Sequence, residues 1–498
     1  MTEYTIGIDI GTTGTKTILL DTQAGIVAQA TREATFFSPR AGFAEACTEQ
    51  WYRNVVDSIR QILSESGIRG DQIVAISASG MVPAVIPTDR NGTALRPAIL
   101  QNDARAGSEI LALADALAEV DLVSLTGSAL TQQSVAPTVA WLRHNEPAVW
   151  AKTAYLMGSY DWMLVALGAQ PHIELNWALE SGLFTIDGAL VEQVLAAAQF
   201  GAEVLPPVLA PGERAGSLNA IVADATGLTA GTSLIVGGAD HVLSAFAAGV
   251  ENHGDWLVKL GGAGDILVAS DTAIVDPRLY LDAHPIPGRW LPNGCMATSG
   301  SLIRWYQSLV GGEDLMVLDG EATGRRAADV LCLPYFLGEK SPLHDPDLRG
   351  TFAGLHLGHN RADLYRSVLE AIAFGFRHHV EVFHDIGIDL GRVSITNGGS
   401  KSTLWKQIHS EVLGTEMFPI IDHPGASLGA ALIAAVGTGA LSWADTKRFI
   451  KLGPPVIPNP ANVVAYDAAY QEWRELGAAV APISHSIARR THIGPRPL

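Results

Sequence analysis

The chain contains a strand, a glycine-rich turn and a second strand at its start, and the same layout returns in its middle. Apolar residues alternate with small or polar ones over residues 4–10, which predicts a half-buried strand. Residues 11–16 (GTTGTK) predict a turn, and residues 17–30 predict two more strands. Residues 256–269 (WLVKLGGAGDILVA) repeat the strand, the turn and the strand. A chain with this arrangement twice is expected to fold as two similarly built α/β halves.

Helical patterns separate these strands. Thr48 is the expected N-cap of a helix whose apolar face lies within residues 51–63. Residues 73–77 predict a buried strand after it, so the chain is expected to open as β-β-β-α-β. Residues 361–386 and the small-residue segment 427–436 predict two further helices.

The boundary between the two halves is expected near residues 245–252. It follows a predicted strand at 233–236 and precedes the second strand–turn–strand unit. This gives one domain of residues 1–246 and another of residues 247–498. From about Ser484 the chain is expected to fray.

Composition excludes several classes of protein. The 498 residues are 48% hydrophobic and only 17% charged, which is too apolar for a disordered chain. The net charge of −18 argues against general binding to nucleic acids or anionic membranes, although backbone N–H groups can still hold a small anion. The three cysteines are far apart, and no targeting or membrane segment is recognisable. We expect a soluble protein of the reducing cytoplasm.

Three glycine-rich turns follow apolar strands, at residues 11–14, 261–264 and 397–400. Glycine allows close backbone approach, so such turns can present N–H groups to phosphate oxygens, although glycine also serves packing alone. No turn has the GxxxxGK[ST] pattern, and none is a GxGxxG that opens a dinucleotide-binding helix.

Asp9 lies at the end of the first strand. It either caps its own turn or positions Mg²⁺ on a nucleotide, usually through water. Thr12 and Thr13 offer hydroxyl and N–H groups to phosphate. Lys16 offers a positive charge to phosphate, or is a solvated surface lysine.

Asp240 ends another apolar strand. Its carboxylate is either a helix N-cap for the residues from Val242 onward or a general base for an attacking hydroxyl. His378, His379 and His384 lie on a predicted helix without a metal-binding motif, so we expect them at the surface or at its boundary.

These motifs together resemble the FGGY carbohydrate kinases, and among them the xylulokinase-like branch, over about residues 4–439. The motifs are residues 7–16 (GIDIGTTGTK), residues 237–240 (GGAD), the long pattern within residues 349–370, and two glycine-rich elements. Those elements are residues 397–400 (NGGS) and 425–431 (GASLGAA).

The resemblance implies two ribonuclease-H-like domains of the actin-like ATPase superfamily, with ATP and sugar in a central interdomain cleft. It implies that Asp240 is the catalytic base and that Asp9 holds Mg²⁺ through ATP and water. The residues that it implies at the β- and γ-phosphates are Thr12, Thr13, Gly261 and Gly264, and those at the adenosine are Gly399 and Ser400. Homodimers are common in the family.

The sequence departs from the xylulokinase pattern at the sugar site. Residues 79–84 (SGMVPA) stand where that branch has SGQMHG, and residues 101–103 (QND) stand where it has WND. The expected sugar-side residues are therefore Met81, Val82, Asn102, Asp103, Asp240 and His241. His241 replaces the Asn or Gln that often follows the catalytic Asp, and the second phosphate loop (GGAGD) lacks the usual hydroxyls.

We therefore expect an ATP- and Mg²⁺-dependent kinase that phosphorylates a primary hydroxyl of a small ketose such as D-xylulose. The alternatives are another pentulose, a tetrulose or a polyol such as ribulose, erythritol or glycerol, or a sugar-binding regulator with impaired catalysis. A nucleotide-driven switch on the same fold is a further alternative, which the long FGGY pattern disfavours.

Overall fold

The computed structural model describes residues 3–40, 42–422 and 424–491, and two six-stranded mixed sheets form its framework. The strands of the first sheet are β1 (Tyr4–Ile10), β2 (Gly14–Asp21), β3 (Gly25–Glu33), β4 (Ile73–Gly80), β5 (Arg214–Ser217) and β6 (Ser233–Ala239), in the order β5-β6-β4-β1-β2-β3. β1, β2 and β3 are antiparallel neighbours, whereas β4 pairs in parallel with β1 and β6. The first three strands of the predicted opening and the strand that follows the first long helix are confirmed.

The second sheet repeats this construction. Its strands are β7 (Trp256–Leu260), β8 (Gly264–Val268), β9 (Tyr280–Ala283), β10 (Trp290–Met296), β11 (Val393–Thr396) and β12 (Met417–Pro419), in the order β9-β10-β8-β7-β11-β12. β7 and β8 form an antiparallel hairpin, and β7 also pairs in parallel with β11. The predicted repetition of the strand–turn–strand unit is confirmed.

Helices cover both sheets. Those used below are α1 (Thr48–Ser66), α2 (Ser159–Leu167), α3 (Leu175–Glu180), α4 (Asp240–Ala247), α5 (Gly300–Leu309), α6 (Arg361–Asp385), α7 (Thr403–Leu413), α8 (Ala426–Gly437) and α9 (Pro460–Thr491). Further helices span Gly107–Ala116, Leu122–Thr126, Val135–Asn145, Pro147–Trp150, Glu192–Ala197, Ala220–Thr226 and Leu315–Ala322, with 3₁₀ segments at Ala202–Val204, Gly398–Lys401 and Trp443–Phe449. Strands of two or three residues span Phe36–Phe37, Glu45–Ala46, Ile86–Thr88, Ala98–Ile99, Tyr155–Met157, Ile173–Glu174, Val208–Leu209, Leu331–Leu333 and Thr351–Ala353.

Helix α1 has the predicted apolar face, but its N-cap lies one residue before the predicted one. Trp51, Val55 and Ile59 are buried, at the spacing of a single helix face. The helix begins at Thr48 itself, so the cap position falls on Cys47 and the predicted N-cap is wrong by one residue. Gly67 ends the helix at a φ of 69°, a left-handed conformation that glycine adopts without strain.

Helix α8 comes from late in the sequence but packs on the first sheet. A Cβ added to Gly7 of β1 would lie 2.0 Å from the carbonyl oxygen of Ser427, so only glycine lets the helix approach this closely. A Cβ on Gly429 would lie 2.4 Å from the carbonyl oxygen of Leu243 in α4. The small residues predicted at 427–436 therefore bring α8 against both β1 and α4. The division at residues 246 and 247 stays a prediction.

Two expectations about the second half are wrong, except that His384 is exposed as predicted. His378 and His379 are buried in α6, and His379 Nδ1 donates to the Gly375 carbonyl at 2.9 Å while its Nε2 lies 2.9 Å from Ser341 Oγ. Burial lowers the pKa of His379 to about 4, so this imidazole is neutral. Ser484 is buried within α9, which continues to Thr491 and does not fray from Ser484 onward; residues 492–498 lie outside the described chain.

Among the residues described, we find no helix with the length and apolar character needed to cross a membrane.

Candidate active site

Asp9 lies near the carboxyl end of β1, where three strands fix its surroundings. It pairs with Lys16 of β2 and with Ser79 of β4. Its Oδ1 is buried, with no hydrogen-bond partner among the described residues. Burial and then the charge of Asp240 raise the pKa of Asp9 to about 7, against the attraction of Lys16 and Lys259. A buried carboxylate oxygen without a donor suits a cation, or a water molecule bound to one.

The turn after β1 is shorter than the sequence predicts. Strand β2 begins at Gly14, so Lys16 is a strand residue and not part of the turn. Its Nζ donates to the Pro424 carbonyl at 3.1 Å. Thr12 and Thr13 are exposed in the turn itself. The lysine is therefore held against the segment that leads into α8.

Asp240 is the first residue of α4, directly after β6. The cap position of this helix is Ala239, so the N-cap alternative for Asp240 is wrong. The Asp240 side chain is 36% exposed. Burial alone would raise its pKa, but the His241 ring, whose Nδ1 lies 3.4 Å away, and the charge of Lys259 outweigh burial and hold the pKa below its usual value. The carboxylate is therefore ionised at neutral pH.

Lys259 enters the site from β7, just before the second glycine-rich turn. Its Nζ lies 3.1 Å from Asp265 Oδ2 across the β7–β8 hairpin. Burial opposes its charge, yet Asp265, Asp240 and Asp9 together raise the pKa of Lys259 above its usual value. One fixed ammonium group thus compensates carboxylates from both halves of the molecule.

The glycines of the second and third turns also serve packing. A Cβ on Gly264 would lie 2.8 Å from a ring carbon of Phe376, and a Cβ on Gly399 would lie 2.1 Å from a ring carbon of Trp405. A Cβ on Gly261 would lie 3.2 Å from the carbonyl oxygen of Ala263 in the same turn. At Gly264 and Gly399, packing alone demands glycine.

A cavity of about 1020 Å³ lies between β3, the third glycine-rich turn, residues 419–422, Pro424 and residues 448–451. Its charged side chains are Lys16, Lys401, Lys406, Arg448, Lys451 and Asp422. Ser400 also lines it, and its Oγ donates to the Asn397 carbonyl at 2.6 Å. Among the described lining residues, five basic groups against one acidic group favour a polyanion such as a nucleoside triphosphate.

A second cavity, of about 230 Å³, contains Asp240 in its wall. Val82 and His241 also line it. The predicted sugar contact Asn102 is exposed and is not in this wall, but its neighbour Gln101 is. Met81 is buried, and its carbonyl accepts a hydrogen bond from Ser159 Oγ of α2 at 2.9 Å. Further polar lining comes from Gln133, Glu180, Asp282, Asn293 and Lys340.

Asp103 makes its contacts with other protein groups. It is buried, and its two carboxylate oxygens accept bonds of 2.8 Å from Nε and Nη2 of Arg105. Nη2 also lies 2.6 Å from Glu45, and the guanidinium group lies 4.0 Å from the ring centre of Phe43. Asp103 is thus paired with a buried arginine, and its contact with sugar stays a prediction.

His241 connects Asp240 to the second sheet. Its Nε2 lies 2.7 Å from Asp282 Oδ2 and 3.8 Å from Glu180 Oε1, and its Nδ1 lies 3.4 Å from Asp240 Oδ1. Asn293 Nδ2 donates to the same Asp282 oxygen at 2.8 Å. Three carboxylates thus surround one imidazole.

Sequence reasoning missed Lys259, Glu180, Asp282 and Asn293. Lys259 had a signal, because it is a charged residue in an otherwise apolar strand beside a glycine-rich turn. Asp282 had a weaker one, as a charged residue in the short strand β9. Glu180, at the end of α3, had none.

Comparison with known proteins gives consistent matches. Residues 4–247 match the N-terminal domain of the FGGY family of carbohydrate kinases, and residues 228–438 match its C-terminal domain. The crystal structure of xylulose kinase from Rhodospirillum rubrum is 40% identical with a TM-score of 0.90, and the match covers 97% of this chain and 100% of that one. Xylulose kinase of Lactococcus lactis is 28% identical over 494 residues, 97% of this chain and 98% of the relative. The L-xylulose/3-keto-L-gulonate kinase of Escherichia coli is 26% identical, covering 99% of this chain and all of the relative.

Proposed function

Because the chain belongs to the FGGY family of carbohydrate kinases, we propose that it transfers the γ-phosphoryl group of Mg·ATP to a primary hydroxyl of a small ketose such as D-xylulose. The xylulose kinases among its relatives support this substrate. In this proposal Asp240 is the general base.

The observation that carries the proposal is the state of Asp240. It is a partly exposed, ionised carboxylate in the wall of a cavity of about 230 Å³, and a second, larger cavity of the protein has a basic lining. Such a group can accept the proton of a substrate hydroxyl while that oxygen attacks the γ-phosphorus atom. The bond from phosphorus to the β,γ-bridging oxygen breaks, and ADP leaves with that oxygen. Lys259 stabilises the negative charge that gathers there.

Asp9 has the chemistry to hold Mg²⁺ through water. Its Oδ1 is buried without a hydrogen-bond partner, and burial and Asp240 raise its pKa despite Lys16 and Lys259, so a bound cation would stabilise its ionised form. The metal supplies charge neutralisation on the phosphates when it is bound. In the proposal Thr12, Thr13, Lys16, Gly261 and Gly264 lie along the β- and γ-phosphates. Gly399 and Ser400 lie beside the adenosine.

The small cavity favours a neutral, hydroxyl-rich substrate over a sugar acid. Oxygen atoms of Gln101, Glu180 and Asp282 are buried in its wall without hydrogen-bond partners among the described residues. Unpaired acceptors of this kind favour a substrate that brings hydroxyl donors once the side chains turn toward it, whereas a carboxylate of the substrate would meet the charges of Asp240 and Asp282. Because one relative is a 3-keto-L-gulonate kinase, a sugar acid is the second candidate, with Lys340 as its partner.

The experiment measures ADP release from Mg·ATP with a panel of substrates. The panel holds D-xylulose, L-xylulose, D-ribulose, erythritol, glycerol and gluconate, with a control that lacks sugar. Asp240→Asn keeps the shape of the side chain and is expected to reduce turnover by about 10²- to 10⁴-fold, with binding of a fluorescent ATP analogue retained. The exposed Asp389→Asn is the matched control and is expected to behave as the wild type.

Each outcome decides between the alternatives. Ketose-dependent ADP release that Asp240→Asn abolishes supports the proposal, and release with gluconate alone supports the sugar acid. Sugar binding without ADP release favours a regulator. ATP-dependent polymerisation without a sugar requirement favours a nucleotide switch. Near-normal turnover of Asp240→Asn removes Asp240 as the base.

A further inference from the structure

His241 lies between the proposed base and the edge of the second sheet. It is the second residue of α4, whereas Asp282 lies on β9, the edge strand of the second sheet. The 2.7 Å contact between them therefore crosses from one half of the molecule to the other. Asp282 is 1% exposed, and Asn293 of the neighbouring strand β10 fixes the same carboxylate oxygen.

A second contact holds β9 in the same place. Asn176 of α3 accepts a hydrogen bond from the Ala283 N–H at 2.7 Å and donates to the Ala283 carbonyl at 3.0 Å. Both residues are buried. Consecutive residues of β9 are thus bonded to the first half, one through its side chain and one through its backbone.

The groups around the His241 ring favour its charged form. The acids that face it are Asp240 on its own helix, Asp282 of β9 and Glu180 of α3, with the Asp265–Lys259 pair of β7 and β8 farther out. Burial lowers the pKa of His241, but Asp282, Asp240 and Glu180 raise it well above its usual value. In the charged ring both nitrogens carry a proton: Nε2 donates to Asp282, and Nδ1 lies 3.4 Å from Asp240 Oδ1 in an ion-pair contact.

We propose that His241 is a positioning residue, a cation held by Asp282 that turns one oxygen of Asp240 toward itself and leaves the other oxygen for the substrate hydroxyl. This inference rests on the proposed role of Asp240 as the base. The base is then correctly oriented only while β9 is docked against the first half. The family residues Asn and Gln at this position can donate a hydrogen bond but bring no charge.

The test uses His241→Asn, Asp282→Asn and the double variant in the full chain. The matched controls are His384→Asn and Asp389→Asn, both at exposed positions. We expect each single variant to lower kcat by about 10- to 100-fold while KM for ATP stays unchanged, because the base is misplaced. We expect the double variant to be no slower than His241→Asn, since Asp282 acts through His241.

The pH dependence supplies a readout that a purely structural role would not change. Without the positive charge, the acidic limb of kcat/KM for the sugar, measured at saturating Mg·ATP so that Asp9 does not mask it, is expected to move up by about 1–2 pH units in His241→Asn. His241→Lys keeps a charge and is expected to retain the wild-type limb. The melting temperature and ATP binding of every variant report whether it has folded.

Three results would overturn the inference. The first is a His241→Asn variant with the acidic limb and the kcat of the wild type. The second is a double variant whose fold-decrease in kcat equals the product of the fold-decreases of the two single variants. The third is stoichiometric Mn²⁺ binding without nucleotide that His241→Asn abolishes, because a metal would then replace the proton on the ring. Loss of turnover in Asp240→Asn alongside any of these would leave the proposed function standing.

Discussion

Replacing Asp9 by asparagine is expected to stabilise the nucleotide-free protein. Asp9 is held in a site that disfavours its charge, because of burial and the nearby Asp240. Asparagine has the same shape and no charge to desolvate. The substitution should therefore raise the free energy of unfolding at neutral pH while it damages Mg·ATP binding.

The size of the effect follows from the pKa. The pKa of Asp9 rises from 3.8 to about 7, a gap of about 3 units at roughly 1.4 kcal/mol each. Below pH 3.8 the folded and unfolded states are both protonated, and Asp9 has no effect. As the pH rises the unfolded chain ionises first, so the folded protein loses stability through the window up to about pH 7. The loss is at most about 4 kcal/mol above that window, and about 2 kcal/mol at pH 5.

Urea unfolding followed by tryptophan fluorescence measures this at pH 5 and pH 8. The free energy of unfolding of Asp9→Asn should exceed that of the wild type at both pH values. This excess should be about 2–3 kcal/mol larger at pH 8 than at pH 5. The exposed Asp389→Asn is the control and should show no such difference. Mg·ATP at 100 times its Kd should stabilise the wild type by about 2.7 kcal/mol and the variant by less.

One result would refute the reasoning. If Asp9→Asn is no more stable than the wild type at pH 8, the folded site does not oppose the charge of Asp9. A stabilisation that is equal at both pH values would show that asparagine packs better, and that ionisation is not the cause.

Two further substitutions test assignments of structure. Asp103→Ala is expected to lower the free energy of unfolding by about 3–5 kcal/mol, because Arg105 is left buried and short of a partner; a normal melting temperature with a raised KM for sugar would instead return Asp103 to the substrate. Gly7→Ala is expected to cost at least about 1–3 kcal/mol in thermal or urea unfolding, because the new Cβ would lie 2.0 Å from the Ser427 carbonyl oxygen; unchanged stability would mean that α8 moves freely away from β1.

The strands and turns were predictable because their signals are local. The alternation in β1, the glycine-rich turns and the repeat at β7 and β8 are all contained in short stretches of sequence. The apolar face of α1 is an equally local signal. Only the start of the helix was predicted one residue away, because the start depends on the backbone conformation of Cys47. The burial of His378 and His379 was not predictable in this way, because the second core surrounds α6 with residues distant in sequence.

The candidate site shows the same contrast between residues with a local sequence signal and residues brought together from distant parts of the chain. Asp9 and Asp240 could be singled out because Asp9 lies at the end of one apolar strand and Asp240 directly follows another, which is visible in the sequence. Asp282 and Glu180 were missed because their importance comes from His241, a residue on another element. Asp103 stays a predicted sugar contact from its motif, and the structure adds a pairing with Arg105, two residues along, that the motif did not indicate.

Three aspartates illustrate why residue type and strand position are insufficient to assign a role. Asp9 has a pKa near 7 because burial and Asp240 oppose its charge, and Asp240 has a lowered pKa because His241 and Lys259 oppose the effect of burial. Asp103 is paired with a buried arginine. Each difference is set by groups that the sheets and helices bring from elsewhere in the chain. The two acids with opposite shifts lie near each other, so a cation beside Asp9 would lower both pKa values, and ionisation of the proposed base is thereby coupled to metal binding.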